Sequence, residues 1–367
     1  MLPVVTYRRD LHRIPEIEDQ LPETAAYVRS ILEKQNCRVF SPTEYSVCAY
    51  FDAGKAETVA FRADMDALAL TECTGLPYAS LHPGFMHACG HDGHMAMVLA
   101  LAEYVSEHLM DLPRNVLVIF QPAEEFPGGA QPICETGILQ KYHVSRIFGM
   151  HLMPNFPTGQ VFSRPGPMMA QATEVTVTVT GKSVHLSRAS EGLDALAAGA
   201  EYLQYAYAMM KTLPKEEHCT LLFGKMVSGS ARNAVSAETH MEGSLRTYHE
   251  ETFRFCREQL LSIGETIAQK TGCRVDVRIR QSHPPIRNHE ELYAAVCSAL
   301  GQDAPRFLET LSLAAEDFSC YQQQVPGIFF FFGIGNAPEL HAQNFNFDDE
   351  FILPLGVEFL KKLLLLP

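Results

Sequence analysis

The chain has 367 residues, 47% of them apolar and 20% charged, and a formal charge of −14 at neutral pH. That balance excludes long disorder, and the acidic excess offers no cations to displace counterions from a nucleic acid or to meet an anionic membrane surface. A chain this long outgrows a single hydrophobic core, so two domains are expected. The opening "MLPVVTYRRDLH" has no apolar stretch of signal-peptide length, and no run approaches bilayer-spanning length. The terminal "FLKKLLLLP" reads as a last helix docked on the core. Ten thinly spread cysteines do not form a disulfide framework, so the expected location is the reducing cytoplasm.

In chain order, "TAAYVRSILEKQN" (24–36) has helical spacing and residues 57–63 read as a strand leading into the acids of "FRADMDAL". "MAMVLALAEYVSEHL" (95–109) is again helical, and residues 116–121 and 146–150 read as strands that end in polar residues. Such alternation predicts an α/β domain with a mostly parallel central sheet and helices on both faces. Near residue 172 the texture changes. "TEVTVTVTGK" alternates as a half-solvated strand does, and is followed by a helix, two strands, a second helix around 251–271 and the strand "CRVDVRIRQ". This order suits a small α+β sandwich, closed by the turn-rich "SHPPIRN". The first texture then returns with a helix, the acidic "AAEDF" and "GIFFFFGIG", a run apolar enough to be buried on both faces. The predicted organisation is one α/β domain of residues 1–171 and 285–367, interrupted by a smaller domain of residues 172–284.

The chemistry collects at strand ends, where open α/β sheets bind ligands. Strand 57–63 leads to Asp64 and Asp66, strand 116–121 to Glu124 and Glu125, strand 146–150 to His151, and strand 328–333 to a loop carrying His341. Just before a helix lies "MHACGHDGHM" (86–95), with His87, Cys89, His91, Asp92 and His94 as candidate ligands. The Cys89-x-His91 element pairs a soft thiolate with an imidazole, a donor set that suits a borderline cation such as zinc. Each feature alone has an ordinary alternative, such as a helix cap or a solvated acid pair, but together they describe a metal centre. Successive residues leaving a strand point in different directions, so one of the paired glutamates can bind metal while the other takes a proton from an activated water. That is the chemistry of hydrolysing a carbonyl compound, most simply an amide.

These residues, together with "RRDLHRIPE" (8–16), "FQPAEEFPGGA" (120–130), "GMHLMP" (149–154), "GSARNAVSAETHMEGSLRT" (229–247), "AAEDFSCY" (314–321) and "ELHAQNF" (339–345), resemble a family almost end to end. It is the metal-dependent amidohydrolase family that contains hippurate hydrolase, aminoacylase-like enzymes, auxin-conjugate hydrolases and N-acetyldiaminopimelate deacetylase. "PAEEFPGGA" leans towards the last of these. The resemblance implies two divalent ions per subunit, zinc or manganese with cobalt or nickel as alternatives, held by Cys89, His91, Glu125, His151 and His341, with Cys89 bridging. It implies Glu124 as general base and Asp64 as the acid that orients a ligand imidazole. His87, Asp92 and His94 match no ligand position, and His94 reads as an inward, satisfied histidine. The inserted domain resembles a lid and dimerisation domain. There His185 matches a histidine that reaches the neighbouring subunit's site to stabilise the oxyanion, and Asn233 and Arg246 match groups that hold the substrate's carboxylate. Many relatives carry Gly-Gly where this chain has Ser183 and Val184, which leaves the shape of that loop open.

The expected activity is removal of the acyl group, chiefly acetyl, from a small N-acyl amino acid by a homodimer joined through the lid domain. The competing readings are a metal-dependent dipeptidase, which needs a site for a free amine, a non-catalytic binding protein on the same scaffold, and a redox role for Cys89. A binding protein has no use for the base Glu124.

Overall fold

The computed structural model describes residues 2–281 and 283–366; Ser282, in the expected closing turn, lies outside them. The chain forms two compact units. The first comprises the chain up to Met168, Ile286–Thr310 and the chain from Asp317 onward; the second comprises Met169–Pro285 and Leu311–Glu316. The segment 311–316 thus groups with the smaller unit rather than with the α/β domain. Its carbonyls hold it there, because Ser312 O and Ala314 O accept from Ala170 N at 3.0 and 3.1 Å, and Ser312 O also accepts from Tyr248 Oη at 2.9 Å.

The first unit is built on an eight-stranded sheet in the order 38–40, 47–51, 115–121, 58–64, 144–153, 327–333, 161–163, 306–307. Its four middle strands are mutually parallel, in register Asp64 with Gln121 and His151 with Phe331. Strands Thr58–Asp64, Asn115–Gln121 and Gly327–Gly333 are buried at every position, as continuous apolar runs require when both sheet faces are covered. Strand Val144–Met153 runs three residues past its expected end because pairing with the next strand continues through Leu152–Phe332 and Met153–Gly333. His151 therefore lies inside the strand, not beyond it.

Helix His91–His108 begins four residues before its apolar pattern suggests. Its first turn is tied down by charge. Arg8, fully buried on helix Pro3–His12, donates from Nε to Asp92 Oδ2 at 3.0 Å, from Nη1 to Asp349 Oδ2 at 3.0 Å and from Nη2 to Asn346 Oδ1 at 3.0 Å, with its guanidinium 4.2 Å from the Phe347 ring centre. His12 Nδ1 lies 2.8 Å from the same Asp92 oxygen. Burial would raise the Asp92 carboxyl, but Arg8 and His12 hold it well below the usual carboxylate range. This network joins the two ends of the chain to the helix start that carries His91.

The second unit is a four-stranded antiparallel sheet, in the order 274–281, 171–180, 238–247, 220–228, with helices Ala195–Met210 and Glu250–Thr271 packed on it. Strand Gln171–Thr180 buries Val175, Val177 and Val179 and turns the intervening threonines outward, as its alternation predicts. Asp194 caps the first helix by accepting from Leu196 N and Ala197 N. No helix among the described residues is long and apolar enough to cross a membrane.

The Arg8→Met variant leaves Asp92 and Asp349 buried against reduced positive charge. We expect it to cost about 3–5 kcal/mol, read as a lower urea midpoint with an unchanged m-value.

Candidate metal centre

Parallel strands deliver their side chains to one edge of the sheet, and local turns aim them. Gly90 has φ +87°, a left-handed conformation that a side chain would strain, and it turns the chain between Cys89 and His91. Ala123 (φ +60°) and His341 (φ +64°) adopt similar values without being glycine, the kind of local cost that functional sites carry. His341 N donates to Ala88 O at 2.8 Å, which pins its loop against the cysteine loop.

Asp66 organises the centre. Its two carboxylate oxygens accept from Glu124 N at 2.9 Å and Glu125 N at 3.0 Å, and its backbone carbonyl accepts from His91 Nδ1 at 2.7 Å. With the proton on Nδ1, His91 presents the lone pair of Nε2, which is buried and has no hydrogen-bond partner. His151 is set the same way: Nδ1 donates to Leu152 O at 2.8 Å, and Nε2 lies 3.4 Å from Cys89 Sγ. His341 Nε2 lies 3.1 Å from Glu125 Oε1, yet that buried oxygen makes no well-aligned hydrogen bond.

Ligand atoms of Cys89, His91 and His151 lie within 4.8 Å of one another, as do those of Cys89, Glu125 and His341, and those of His91, Glu124 and Glu125. Each group could hold a metal ion, and the first two share Cys89. The donor chemistry fits a divalent cation: thiol, imidazole and carboxylate converge, His91 Nε2 has no hydrogen-bond partner among the described residues, and Glu125 Oε1 faces His341 Nε2 without a well-aligned hydrogen bond. Electrostatics agrees. Burial pushes the Cys89 thiol well up, with His91 pulling against it, so a cation is what the thiolate form lacks. Burial also raises Asp66, opposed by His91 and the two glutamate amides.

The expected role of Asp64 does not match its contacts. His91 is oriented by Asp66, whereas Asp64 Oδ1 accepts from His94 Nδ1 at 2.7 Å and Oδ2 from Arg62 Nη1 at 2.7 Å. Burial alone would raise Asp64, but His91, His94 and Arg62 hold it well below the carboxylate range. Asp64 faces His91 Nε2 only at 3.9 Å. The reason is position: Asp64 is the last residue of its strand, level with Gln121, whereas Asp66 lies two residues beyond it and meets the turn that follows Gln121. His94 is satisfied at both nitrogens, since Nε2 accepts from Leu152 N at 2.9 Å. Asp92 serves Arg8 and His12. His87 is buried with neither nitrogen hydrogen-bonded, and burial lowers it to about 3. His185, Asn233 and Arg246 belong to the second unit. There His185 is exposed, with Nδ1 accepting from Ser187 N, and Leu186 N donates to the Asn233 carbonyl. Arg246 is half-buried, with Nη1 lacking a hydrogen-bond partner.

Residues 60–366 match the model of peptidase family M20/M25/M40. The chain belongs to this family. It is a metal-dependent amide hydrolase. It is 31% identical over 365 residues to the N-acetyldiaminopimelate deacetylase of Lacticaseibacillus paracasei, covering 96% of this chain and 94% of that protein. It is 30% identical over 352 residues to the N-acetylcysteine deacetylase of Bacillus subtilis, covering 95% and 92%. Among solved structures, the Bacillus subtilis YXEP protein, a dinuclear metal binding peptidase from the M20 family, superposes with a TM-score of 0.86 at 29% identity, covering 99% of this chain and 96% of that one.

Sequence reasoning missed Asp66 as the organiser, although its place two residues after Asp64 marked it as a strand-exit acid. In an Asp66→Asn variant one carboxylate oxygen becomes an amide donor facing the backbone amides. We expect faster hydrogen–deuterium exchange in the peptide spanning residues 121–130 of the metal-free protein, with exchange in the core strands unchanged.

Proposed function

We propose that this hydrolase removes the acyl group, chiefly acetyl, from small N-acyl amino acids, with Glu124 as general base. The observation that carries the reading is the pair of overlapping ligand groups sharing Cys89, with Glu124 beside both His91 and Glu125. Cys89, His91 and His151 would hold one ion and Cys89, Glu125 and His341 the other; thiolate, imidazole and carboxylate together suit zinc or manganese. Such ions polarise a carbonyl and lower the pKa of water.

The chain's own residues do the rest. Glu124 accepts the proton of the attacking water as its oxygen bonds to the amide carbon. It passes that proton to the nitrogen as the C–N bond breaks, which yields a carboxylic acid and a free amine. His185, whose Nδ1 accepts from Ser187, carries its proton on Nε2 and can donate it to the oxyanion of a neighbouring subunit. Arg246, whose Nη1 has no hydrogen-bond partner among the described residues, offers a donor to the substrate's carboxylate, a role it would share with Asn233. The names of the deacetylase relatives support acetyl as the acyl group.

Dimerisation through the second unit is supported by edge strand Thr220–Ser228, which exposes Leu222, Met226 and Val227, and by exposed Leu196 and Tyr205 on the adjacent helix. All ten cysteines are free thiols, which supports a reducing, cytoplasmic location.

Glu124→Gln is expected to keep its metal by elemental analysis and to lose turnover of every substrate in a panel that includes N-acetyldiaminopimelate, N-acetylcysteine and hippurate. Wild-type-like hydrolysis would remove it as base. Cys89→Ser and His341→Ala should each lower bound metal, and unchanged stoichiometry removes them from the ligand set. If His185 acts across a dimer, subunit exchange between inactive Glu124→Gln and His185→Ala proteins should restore about a quarter of parental activity, because half the dimers then carry one intact site. No recovery would confine His185 to its own subunit or to another role.

A further inference from the structure

Asp317, in the "AAEDF" stretch, is 1% exposed and accepts five hydrogen bonds. Its Oδ2 accepts from Gln121 Nε2 at 2.7 Å and from Gly129 N and Ala130 N at 2.9 Å each; its Oδ1 accepts from Arg62 Nη2 at 2.8 Å and Gln121 Nε2 at 2.9 Å. Arg62 in turn donates to Asp64 at 2.7 Å and from Nε to Gln121 Oε1 at 2.9 Å, where Tyr321 Oη also donates at 3.0 Å.

We propose that Asp317, clamped by Arg62, is a positioning residue for the segment that carries Glu124 and Glu125. This rests on the roles proposed above for those two glutamates. The segment folds back on itself: Gly128 N donates to Ala123 O at 3.0 Å, and a Cβ on Gly129 would lie 1.8 Å from Pro122 O. Residues 122–123 and 128–129 are therefore in contact, so holding 129–130 also holds the turn that aims Glu124 and Glu125. Asp66 grips the two glutamate amides, and Asp317 grips the other end of the same closed segment. A carboxylate that only capped helix Ala130–Glu135 would need no partner in strand 58–64. Arg62 supplies one, and through Asp64 and His94 the connected hydrogen bonds reach Leu152, next to His151. Acids and bases that orient metal-site residues in this way carry part of the site's function.

Asp317→Asn offers one oxygen where two are used, so its amide faces either Arg62 or the backbone amides, donor against donor. The test uses the full chain, metal-free and metal-loaded. We expect faster hydrogen–deuterium exchange across residues 121–130 in the metal-free variant, with core strands and circular dichroism unchanged. In the metal-loaded variant we expect kcat to fall about 10- to 100-fold while KM for an N-acetyl amino acid stays within about threefold. A purely structural cap would lower the unfolding midpoint and leave kcat in place, which overturns the proposal. Parent-like exchange of 121–130 overturns it whatever the activity. A loosened segment with parental kcat also overturns it, and Glu124→Gln run alongside shows why. If that variant is inactive the failure belongs to Asp317; if it turns over normally the general-base reading has failed. Should Asp317→Asn not fold, Tyr321→Phe decides, since it removes one hydroxyl and no charge. Faster exchange with kcat reduced about two- to tenfold supports the proposal, and parental values in both overturn it.

Discussion

The grip of one carboxylate on two consecutive amides sets the geometry of the centre. Asp66 lies two residues past the end of its strand, and its two carboxylate oxygens accept from the backbone amides of Glu124 and Glu125 while its carbonyl accepts from the ring Nδ1–H of His91. Three groups contributed by two other segments are thereby held by one residue. The cost is a carboxylate fully removed from water, which only well-aligned donors can offset.

The same arithmetic governs the wider region. Buried acids and imidazoles stand close together, each pair chosen so that desolvation is met by a partner: Asp64 by Arg62 and His94, Asp92 by Arg8 and His12, Asp317 by Arg62 and the amides of Gly129 and Ala130. Against that background His91 Nε2, with no hydrogen-bond partner among the described residues, and Glu125 Oε1, which faces His341 Nε2 without a well-aligned hydrogen bond, stand out. In a region where the buried acids Asp64, Asp66, Asp92 and Asp317 are each met by donors, such acceptors beside a thiol are the mark of a place for cations.

Function and stability share these contacts. Arg8 joins the first helix, the start of the His91 helix and the start of helix Asp349–Leu364, so segments from both ends of the chain hold a ligand-bearing turn between them. The second unit has a separate core of valines, Tyr202 and Leu260, and it carries the exposed His185 at its surface.

Much was legible in the sequence because periodicity and strand ends are local properties. The parallel sheet, the alternating strand of the second unit and the delivery of the Cys89–His91 loop, the Glu124–Glu125 pair, His151 and His341 to one sheet edge all follow from short patterns read in order, whereas the choice of Glu125 over Glu124 as ligand came only with the family resemblance. Which acid orients His91 was not legible. Asp64 and Asp66 are chemically identical and two residues apart, yet Asp64 meets His94, 30 residues on, whereas Asp66 meets the amides of Glu124 and Glu125, 58 and 59 residues on. Nor was Asp317, whose task depends on where Arg62 and Gly129 end up in space. The sequence by itself determined which donor atoms exist and that the sheet would bring them to one edge. Only the tertiary structure decided which of them keep a free lone pair, because the hydrogen bonds that set His91 and His94 are made between segments distant along the chain.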